Sequence, residues 1–346
     1  MSSQERKIIS KRNVLLACFL LLLIIILYNV TVGTNCRIRK GMYTIYIEKK
    51  MPVMEVANML KEKGIIHSRL SLLAMAYLMG MHYVEDGVYS IPQRSNNISI
   101  CNALNKPLDK KIIHLEIPFL QNRKSLIKAI AKNSGIHPDD IWRKLNDKKF
   151  LHQTGGFNKE NIFCIFITGK YVCETQREAE ELIENLYGHY EFFWNEEREE
   201  KAKNINLTRE EVVILASIVY METKMPEEMP TIAGVYLNRL QKGMKLESDP
   251  TLVFANQKFA VRRLMDRDKK INSPYNTYKY KGLPPGPICS VPPSAIDAVL
   301  NYEGHDYLYF CAKDDLSGEH VFSETYEEHQ KHAKKYQEQL DKKKIF

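Results

Sequence analysis

Apolar and polar residues alternate along this chain in patterns that predict a membrane helix, two small mixed segments and a large helical part. An almost purely apolar run from Val14 to Tyr28 follows a short basic head, and its length is close to the roughly 17–25 residues needed to cross hydrocarbon. No small-residue cleavage site follows it. We therefore expect an uncleaved membrane helix over residues 14–34, a cytoplasmic segment of residues 1–13, and the rest of the chain on the extracytoplasmic side.

The segment of residues 40–110 predicts a βααβ unit. Tyr43–Ile47 alternates like a half-buried strand, Pro52 opens a helix that ends at Gly64, a second apolar helix covers Leu70–Met81, and Gly87–Ile91 returns as a strand. Residues 111–176 repeat part of this skeleton, with an alternating strand followed by an apolar helical face and Gly135. Such units are able to bind glycans, and a plain packing role is an equally good interpretation.

Residues 177–206 predict a linker, read as one long charged helix over Arg177–Lys203. Thr208 and Glu211 then form a capping-box pattern that marks the start of the next helix. The last predicted domain is residues 207–346.

Glu222 is the strongest candidate for chemistry. The ten residues from Val212 to Met221 carry no charge, and Glu222 follows them directly. A carboxyl group at the inner end of an apolar helix is desolvated, which raises its pKa and keeps it protonated near neutrality, as a general acid for glycosidic bonds requires. The alternative is that the last helical turn has reached solvent and Glu222 is simply exposed.

Further candidates follow Glu222 along the chain. The helix Thr231–Leu240 ends on the polar pair Asn238 and Arg239, and Asp249 precedes a proline, where a carboxylate commonly makes a turn or caps a helix. The loops Ser273–Tyr278 and Gly282–Ile288 are rigid, polar and aromatic, as in clefts that stack sugars on tyrosine.

Composition excludes several classes of function. The net charge of +8 is spread along the chain without an Arg-rich helix, so nucleic acid is a poor candidate partner. The seven cysteines show no CxxC and no zinc-like spacing, so we predict neither a metal site nor a cofactor. A surface suited to an anionic membrane or an anionic wall polymer fits this charge equally well.

Several motifs in order resemble the MltG (YceG-like) family of endolytic murein transglycosylases. They are Leu215–Thr223, Ala233–Leu240, Gly243–Thr251, Ser273–Tyr278, Gly282–Ile288 and Tyr307–Phe310, with His320, Phe322, Glu328 and His329 in family-like places near the end. The resemblance implies an α+β fold with a membrane anchor, LysM-like modules and a lysozyme-like catalytic domain. It also implies a single-pass protein of the inner membrane whose catalytic domain lies outside.

The same resemblance implies an activity and a set of site residues. Glu222 matches the family's catalytic glutamate, which protonates the glycosidic oxygen between N-acetylmuramic acid and N-acetylglucosamine within nascent strands and then deprotonates the muramic 6-hydroxyl to give a 1,6-anhydro end. The implied partners are peptidoglycan strands, the lipid bilayer and penicillin-binding synthases. The implied substrate-binding residues are Ser217, Thr223, Asn238, Asp249, Tyr275, Asn276 and Tyr278.

The sequence departs from the family pattern at two places, and two alternative functions stay open. Tyr220 stands where many members have a second glutamate, and the stretch Ile165–Tyr171 lacks the proline usual at the junction before the catalytic domain. A hydrolytic muramidase would need a second carboxylate, which Glu247 or Asp249 would supply. A non-catalytic wall-glycan-binding scaffold is the other alternative.

Overall fold

The computed structural model describes residues 11–38, 42–108, 112–174, 178–259 and 265–343. These form two compact units, Met1–Ile112 and Ile113–Phe346. Helices and strands are mixed along both, so the fold is α+β as the sequence predicts. Residues 1–10 of the predicted cytoplasmic segment lie outside the described residues.

The first unit has the βααβ order that its pattern predicts, with additional short elements. Its helices are α1 (Lys11–Thr31), α2 (Val53–Glu62), α3 (Arg69–Leu78) and α4 (Asn97–Leu104), and its strands are β1 (Met42–Ile47), β2 (Met51–Pro52), β3 (Tyr83–Val84) and β4 (Gly87–Pro92). Strands β1 and β4 pair antiparallel, with Ile45 opposite Tyr89. In the described part of the chain, no helix combines the length and the apolar character that a membrane crossing needs.

Helix α2 shows why the pattern predicts this unit well. Val53, Val56, Ala57 and Leu60 are its buried residues, and their spacing of three and four places them on one face of a helix. Burying that face against α3 and the β2–β3 pair removes apolar surface from water, which is the main stabilisation of so small a unit.

The second unit contains most of the helices. Its helices are α5 (Arg123–Ser134), α6 (Pro138–Leu145), α7 (Lys148–Gln153), α8 (Ala179–Phe193), α9 (Glu196–Asn204), α10 (Arg209–Glu222), α11 (Met229–Gln241), α12 (Asp249–Asn256), α13 (Pro293–Leu300) and α14 (Tyr326–Lys342). Its strands are β5 (Ile112–Ile117), β6 (Gly169–Glu174), β7 (Tyr309–Ala312) and β8 (His320–Ser323). Strand β5 pairs with β6, and β7 pairs antiparallel with β8.

The prediction of one long helix over Arg177–Lys203 is wrong. The structure has two helices there, because the chain leaves the helical conformation at Trp194 and Asn195 caps α9 by accepting a hydrogen bond from the Arg198 backbone N–H. Asparagine is among the best N-cap residues. The indole of Trp194 is buried in the core beside this break, so tertiary packing overrides the continuous helical pattern.

Helix α11 is held close to the segment after α13 by a glycine. A Cβ built on Gly234 would lie 2.5 Å from the Glu303 backbone oxygen and 2.6 Å from His305 Nε2. Both distances are shorter than real Cβ contacts, so any side chain there forces the segment away from α11.

We expect Gly234→Ala to lower the free energy of unfolding by about 1–3 kcal/mol, the usual cost of overpacking a tight interior site. Gly304→Ala is the matched control, since nothing lies within 4 Å of its Cβ position. Urea unfolding of the two variants compares them directly. Equal stability of both variants would contradict the close approach at Gly234.

Candidate active site

Glu222 is the last residue of α10, a helix with a long buried stretch. The capping box predicted at the start of α10 is present: Glu211 N–H donates to Thr208 Oγ1 at 3.2 Å, and Thr208 N–H donates to Glu211 Oε2 at 2.8 Å. Every residue from Val212 to Val219 is buried. The helix stops because Thr223 is extended, which leaves Glu222 half-buried at the rim of the core.

Two hydroxyl groups bind the same oxygen of the Glu222 carboxyl. Tyr236 Oη donates to Oε1 at 2.6 Å, and Ser248 Oγ donates to Oε1 at 2.5 Å. No residue in the described ranges donates a hydrogen bond to Oε2. The carboxyl is thereby fixed through Oε1.

The surroundings raise the pKa of Glu222. Burial is the largest cause, and the negative charge of Asp249 adds to it; the hydrogen bonds from Ser248 and Tyr236 and the charge of His320 act in the opposite direction without cancelling it. Desolvation disfavours the charged form of a carboxyl group. This direction agrees with the sequence-based expectation of a protonated acid.

The Ser248 hydroxyl is aimed at Glu222 by a buried network. Ser248 N–H donates to Thr277 Oγ1 at 3.0 Å, Thr251 Oγ1 donates to the Ser248 carbonyl at 2.6 Å, and the two threonine hydroxyls are 2.8 Å apart. Ser248 and Thr251 are fully buried and Thr277 nearly so. A network whose members satisfy one another fixes its side chains in one geometry.

Arg239 holds the turn that carries Ser248. Its guanidinium donates from Nη1 to the carbonyls of Lys245 and Leu246, at 3.1 and 2.9 Å, and from Nε to the carbonyl of Leu308 at 2.7 Å. The side chain is 8% exposed. It therefore joins α11, the turn before α12 and the start of β7 through backbone atoms.

Asp249 and Tyr278 lie beside the carboxyl on the exposed side. Tyr278 Oη donates to Asp249 Oδ1 at 2.7 Å, and Asp249 is exposed as the first residue of α12. Burial, followed by the hydrogen bond and charge of Asp249, raises the pKa of Tyr278, which stays a neutral donor. Both are sequence-predicted site residues, and the structure brings them together near Glu222.

Ser217 and Thr223 lie on the same helix end but are bound to the protein. Ser217 is fully buried; its hydroxyl donates to the Ile214 carbonyl and accepts from Ile288 N–H at 3.1 Å, which fastens the loop Gly282–Ile288 to α10. Thr223 Oγ1 donates to Glu228 Oε2 at 3.2 Å. Their predicted contact with substrate stays a prediction.

The structure places three other predicted residues in supporting networks. Asn238 donates to the carbonyls of His305 and Tyr307. Asn276 is fully buried and donates to two carbonyls of its own loop, those of Lys269 and Ile271. Tyr275 is 6% exposed. Its substrate role, like those of the two asparagines, is a prediction that these contacts leave open.

Tyr275 belongs to a partly buried ionic cluster. Its hydroxyl accepts from Arg123 Nη2 at 2.6 Å and donates to Glu160 Oε2 at 2.9 Å. Arg123 also pairs with Glu160 at 2.8 Å. The cluster joins the loop of Tyr275 to the first part of the second unit.

Sequence reasoning missed both groups that contact Glu222. Tyr236 lies in an apolar helix, where a tyrosine has an ordinary packing role. Ser248 directly precedes Asp249, and the sequence analysis selected Asp249 as the candidate in this turn. It also missed the pairing of Glu228 with His320, at 2.9 Å between Oε2 and Nδ1. No local signal marks any of these contacts, because each partner comes from a separate element.

The described residues contain no disulfide bond, so Cys164 and Cys173 are not bonded to each other. Among the described residues, no group of His, Cys, Asp or Glu side chains has the arrangement of a metal site.

Variants of Ser248 and Asp249 are expected to move the pH dependence of activity in opposite directions, because Ser248 lowers the pKa of Glu222 and Asp249 raises it. Ser248→Ala removes a hydrogen bond that lowers the pKa of Glu222, so the acid stays protonated to higher pH and the alkaline limb moves up. Asp249→Asn removes a charge that raises this pKa, so the limb moves down. Asparagine still accepts from Tyr278. Profiles of kcat/KM against pH test this, and shifts in the same direction would contradict it.

Comparison with known proteins identifies several relatives. The model of the YceG-like family matches residues 45–335. A protein named endolytic murein transglycosylase from Bacillus subtilis (strain 168) is 27% identical over 311 residues, covering 86% of this chain and 85% of that protein. One of the same name from Streptococcus pneumoniae serotype 2 is 35% identical over 330 residues, covering 85% of this chain and 58% of that protein, so the chain spans little more than half of the pneumococcal relative.

A similar fold is found among solved structures. The 2.6 Å crystal structure of a YceG-like protein from Listeria monocytogenes matches with a TM-score of 0.53 and 22% identity, over 84% of this chain and 98% of that chain. At this identity the likeness concerns the fold alone.

Proposed function

The chain belongs to the YceG-like family, and from this premise we propose that it is an endolytic murein transglycosylase in which Glu222 is the acid and base. The enzyme is a peptidoglycan lytic transglycosylase, a carbon–oxygen lyase that cuts the glycan without adding water. Two relatives that carry this name span most of the chain in alignment and so support the proposal.

The observation that carries the mechanism is the asymmetric environment of the Glu222 carboxyl. Burial favours its protonated form, and Oε2 is the oxygen left for substrate. Oε2–H protonates the glycosidic oxygen while the C1–O bond breaks. The muramic 6-hydroxyl then attacks C1, and Oε2 takes the hydroxyl proton, so the acid is restored and a 1,6-anhydro ring closes.

Tyr236 and Ser248 stabilise the intermediate state of this cycle. After the first proton transfer Glu222 is an anion in a low-dielectric site, and two hydroxyl donors on Oε1 compensate its charge. They bind the oxygen that does not transfer the proton. The pKa of Glu222 is therefore raised by burial yet limited by these donors, which suits a group that must give up and retake one proton.

The substrate and cellular setting complete the proposal. The bond cut is MurNAc-β-1,4-GlcNAc within nascent strands, which terminates their elongation, and penicillin-binding synthases are the partners that make those strands. The proposed setting is the inner membrane, with the catalytic domain outside and the anchor near the N-terminus; the exposed apolar side chains from Leu15 to Tyr28 in α1 support it. The βααβ order of the first unit supports a LysM-like, glycan-binding assignment for residues 40–110.

Mass spectrometry of the products tests the reaction type. Isolated murein incubated with the protein is expected to gain 1,6-anhydro-muramic ends and to shorten from within its strands. Free reducing ends would contradict the lyase mechanism and favour a hydrolase.

A hydrolytic muramidase is the second candidate, favoured by one observation. Asp249 is close enough to Glu222 to raise its pKa and is exposed, so its carboxylate is placed to activate a water molecule. Glu247 is a poorer choice because Arg239 lies 3.4 Å from its carboxylate. A hydrolase loses turnover when Asp249 becomes Asn, whereas the lyase keeps turnover and changes its pH profile.

A further inference from the structure

Glu228 and His320 form a partly buried pair near Glu222 that the proposed mechanism does not use. His320 Nδ1 lies 2.9 Å from Glu228 Oε2, and the His320 backbone N–H donates to Oε1 at 2.7 Å. Thr223, the neighbour of Glu222 in the chain, donates to the same Oε2. The two side chains are 15% and 11% exposed. Three hydrogen bonds on one carboxylate fix the imidazole in one orientation.

The pairing determines which ring nitrogen carries the proton. Burial opposes the ionisation of Glu228, but the two hydrogen bonds from His320, the positive charge that its ring carries when protonated, and the hydrogen bond from Thr223 outweigh it and lower the pKa of this carboxyl. An ionised carboxylate only accepts hydrogen bonds, so Nδ1 must be the protonated nitrogen. In the neutral ring Nε2 is then an acceptor, and no described residue hydrogen-bonds to it.

One aromatic ring separates the imidazole from the tyrosine that binds Glu222. The Phe310 ring contacts His320 on one side and Tyr236 on the other, at centroid distances of 5.3 and 5.9 Å. Tyr236 is the residue that donates to Glu222. Phe310 thus connects the imidazole to the residue that binds the acid.

We infer that His320 is a substrate-binding residue whose Nε2 accepts a hydrogen bond from an O–H or N–H group of the bound glycan, and that Glu228 sets this polarity. The inference rests on the proposed function for the identity of the ligand. Carboxylate–histidine pairs that fix a tautomer are a recurrent way to orient an imidazole. Here the pair would orient one sugar unit against the acid.

Three variants separate substrate contact from a structural role. His320→Asn keeps a donor near the Nδ1 position for Glu228 but has no atom at Nε2, and His320→Gln restores a polar atom near the Nε2 position. Glu228→Gln donates to Nδ1 through its amide, which moves the ring proton to Nε2 and turns the acceptor into a donor. His152→Asn, at an exposed position, is the control.

The first measurement is KM and kcat on soluble murein glycan strands freed of peptides. We expect His320→Asn and Glu228→Gln each to raise KM roughly tenfold, the effect of one lost hydrogen bond, with kcat and the melting temperature little changed. His320→Gln is expected to recover much of the loss. A wild-type KM in both His320→Asn and Glu228→Gln would overturn the inference. A lower kcat with an unchanged KM would also overturn it, because His320 would then affect catalysis through Glu222 rather than bind the glycan.

Binding in a Glu222→Gln background keeps this test independent of the reaction. The dissociation constant of the same glycan should rise for the His320 and Glu228 variants although no bond is cut, and nitrogen NMR should show the His320 proton on Nδ1 in the parent and on Nε2 after Glu228→Gln. If Glu222→Gln alone left cleavage intact, the proposed function would be wrong. The dissociation constants of the His320 and Glu228 variants would still test the role of His320 in binding. If His320→Asn does not fold, His320→Gln and Glu228→Gln provide the test. A glycan affinity equal to that of the parent in both variants would overturn the inference.

Discussion

Glu222→Gln is expected to lower the rate of glycan cleavage by roughly a thousandfold, within the 10²–10⁴ range that general acid–base catalysis contributes. The glutamine amide has no proton of suitable acidity to give to the glycosidic oxygen. Its carbonyl oxygen still accepts from Tyr236 and Ser248, so the fold and the glycan-binding surface are retained. Release of anhydro-ended fragments from isolated murein, followed by mass spectrometry, measures the loss.

Glu227→Gln is the matched control for this variant, because Glu227 is exposed in the loop just after α10. It should cleave like the parent. Retained activity in Glu222→Gln would show that another group is the acid. Unchanged strand length in cells carrying Glu222→Gln would favour the non-catalytic scaffold instead.

Arg239→Ala is expected to lower the free energy of unfolding by about 3–5 kcal/mol and to reduce activity as well. Truncation leaves the carbonyls of Lys245, Leu246 and Leu308 without their charged donor, and each buried acceptor left unpaired costs about 1–3 kcal/mol. The turn that aims Ser248 at Glu222 also loses its attachment. Denaturant unfolding and kcat/KM measure the two effects.

Arg143→Ala serves as the comparison. Arg143 makes an exposed ion pair with Asp140 on α6, at 3.0 Å, and exposed pairs contribute about 0–1 kcal/mol. If Arg239→Ala were no more destabilising than Arg143→Ala, the carbonyl contacts would not hold the turn. If it lost stability but kept full activity, Ser248 would be positioned by the threonine network alone.

Much of the helical frame of both units followed from local pattern. The uncharged run before Glu222, the capping box at Thr208 and the apolar spacing of α2 each act within a few residues of the chain, where side-chain periodicity and backbone capping are decided. The break at Trp194 escaped prediction because an indole that packs into the core outweighs a continuous helical propensity.

By itself, the sequence determined that one carboxyl group would end an apolar helix, and it predicted that the group would be desolvated there. Only the tertiary structure decided that Tyr236 and Ser248 bind the same oxygen of that group, that Asp249 adds its charge nearby, and that Glu228 orients His320 beside it. The burial of a helix is predictable from its own apolar residues, because the hydrophobic effect needs no particular partner. A hydrogen bond needs two specific atoms within about 3 Å, and these atoms come from α10, α11, the turn before α12 and β8, which meet only in the folded chain.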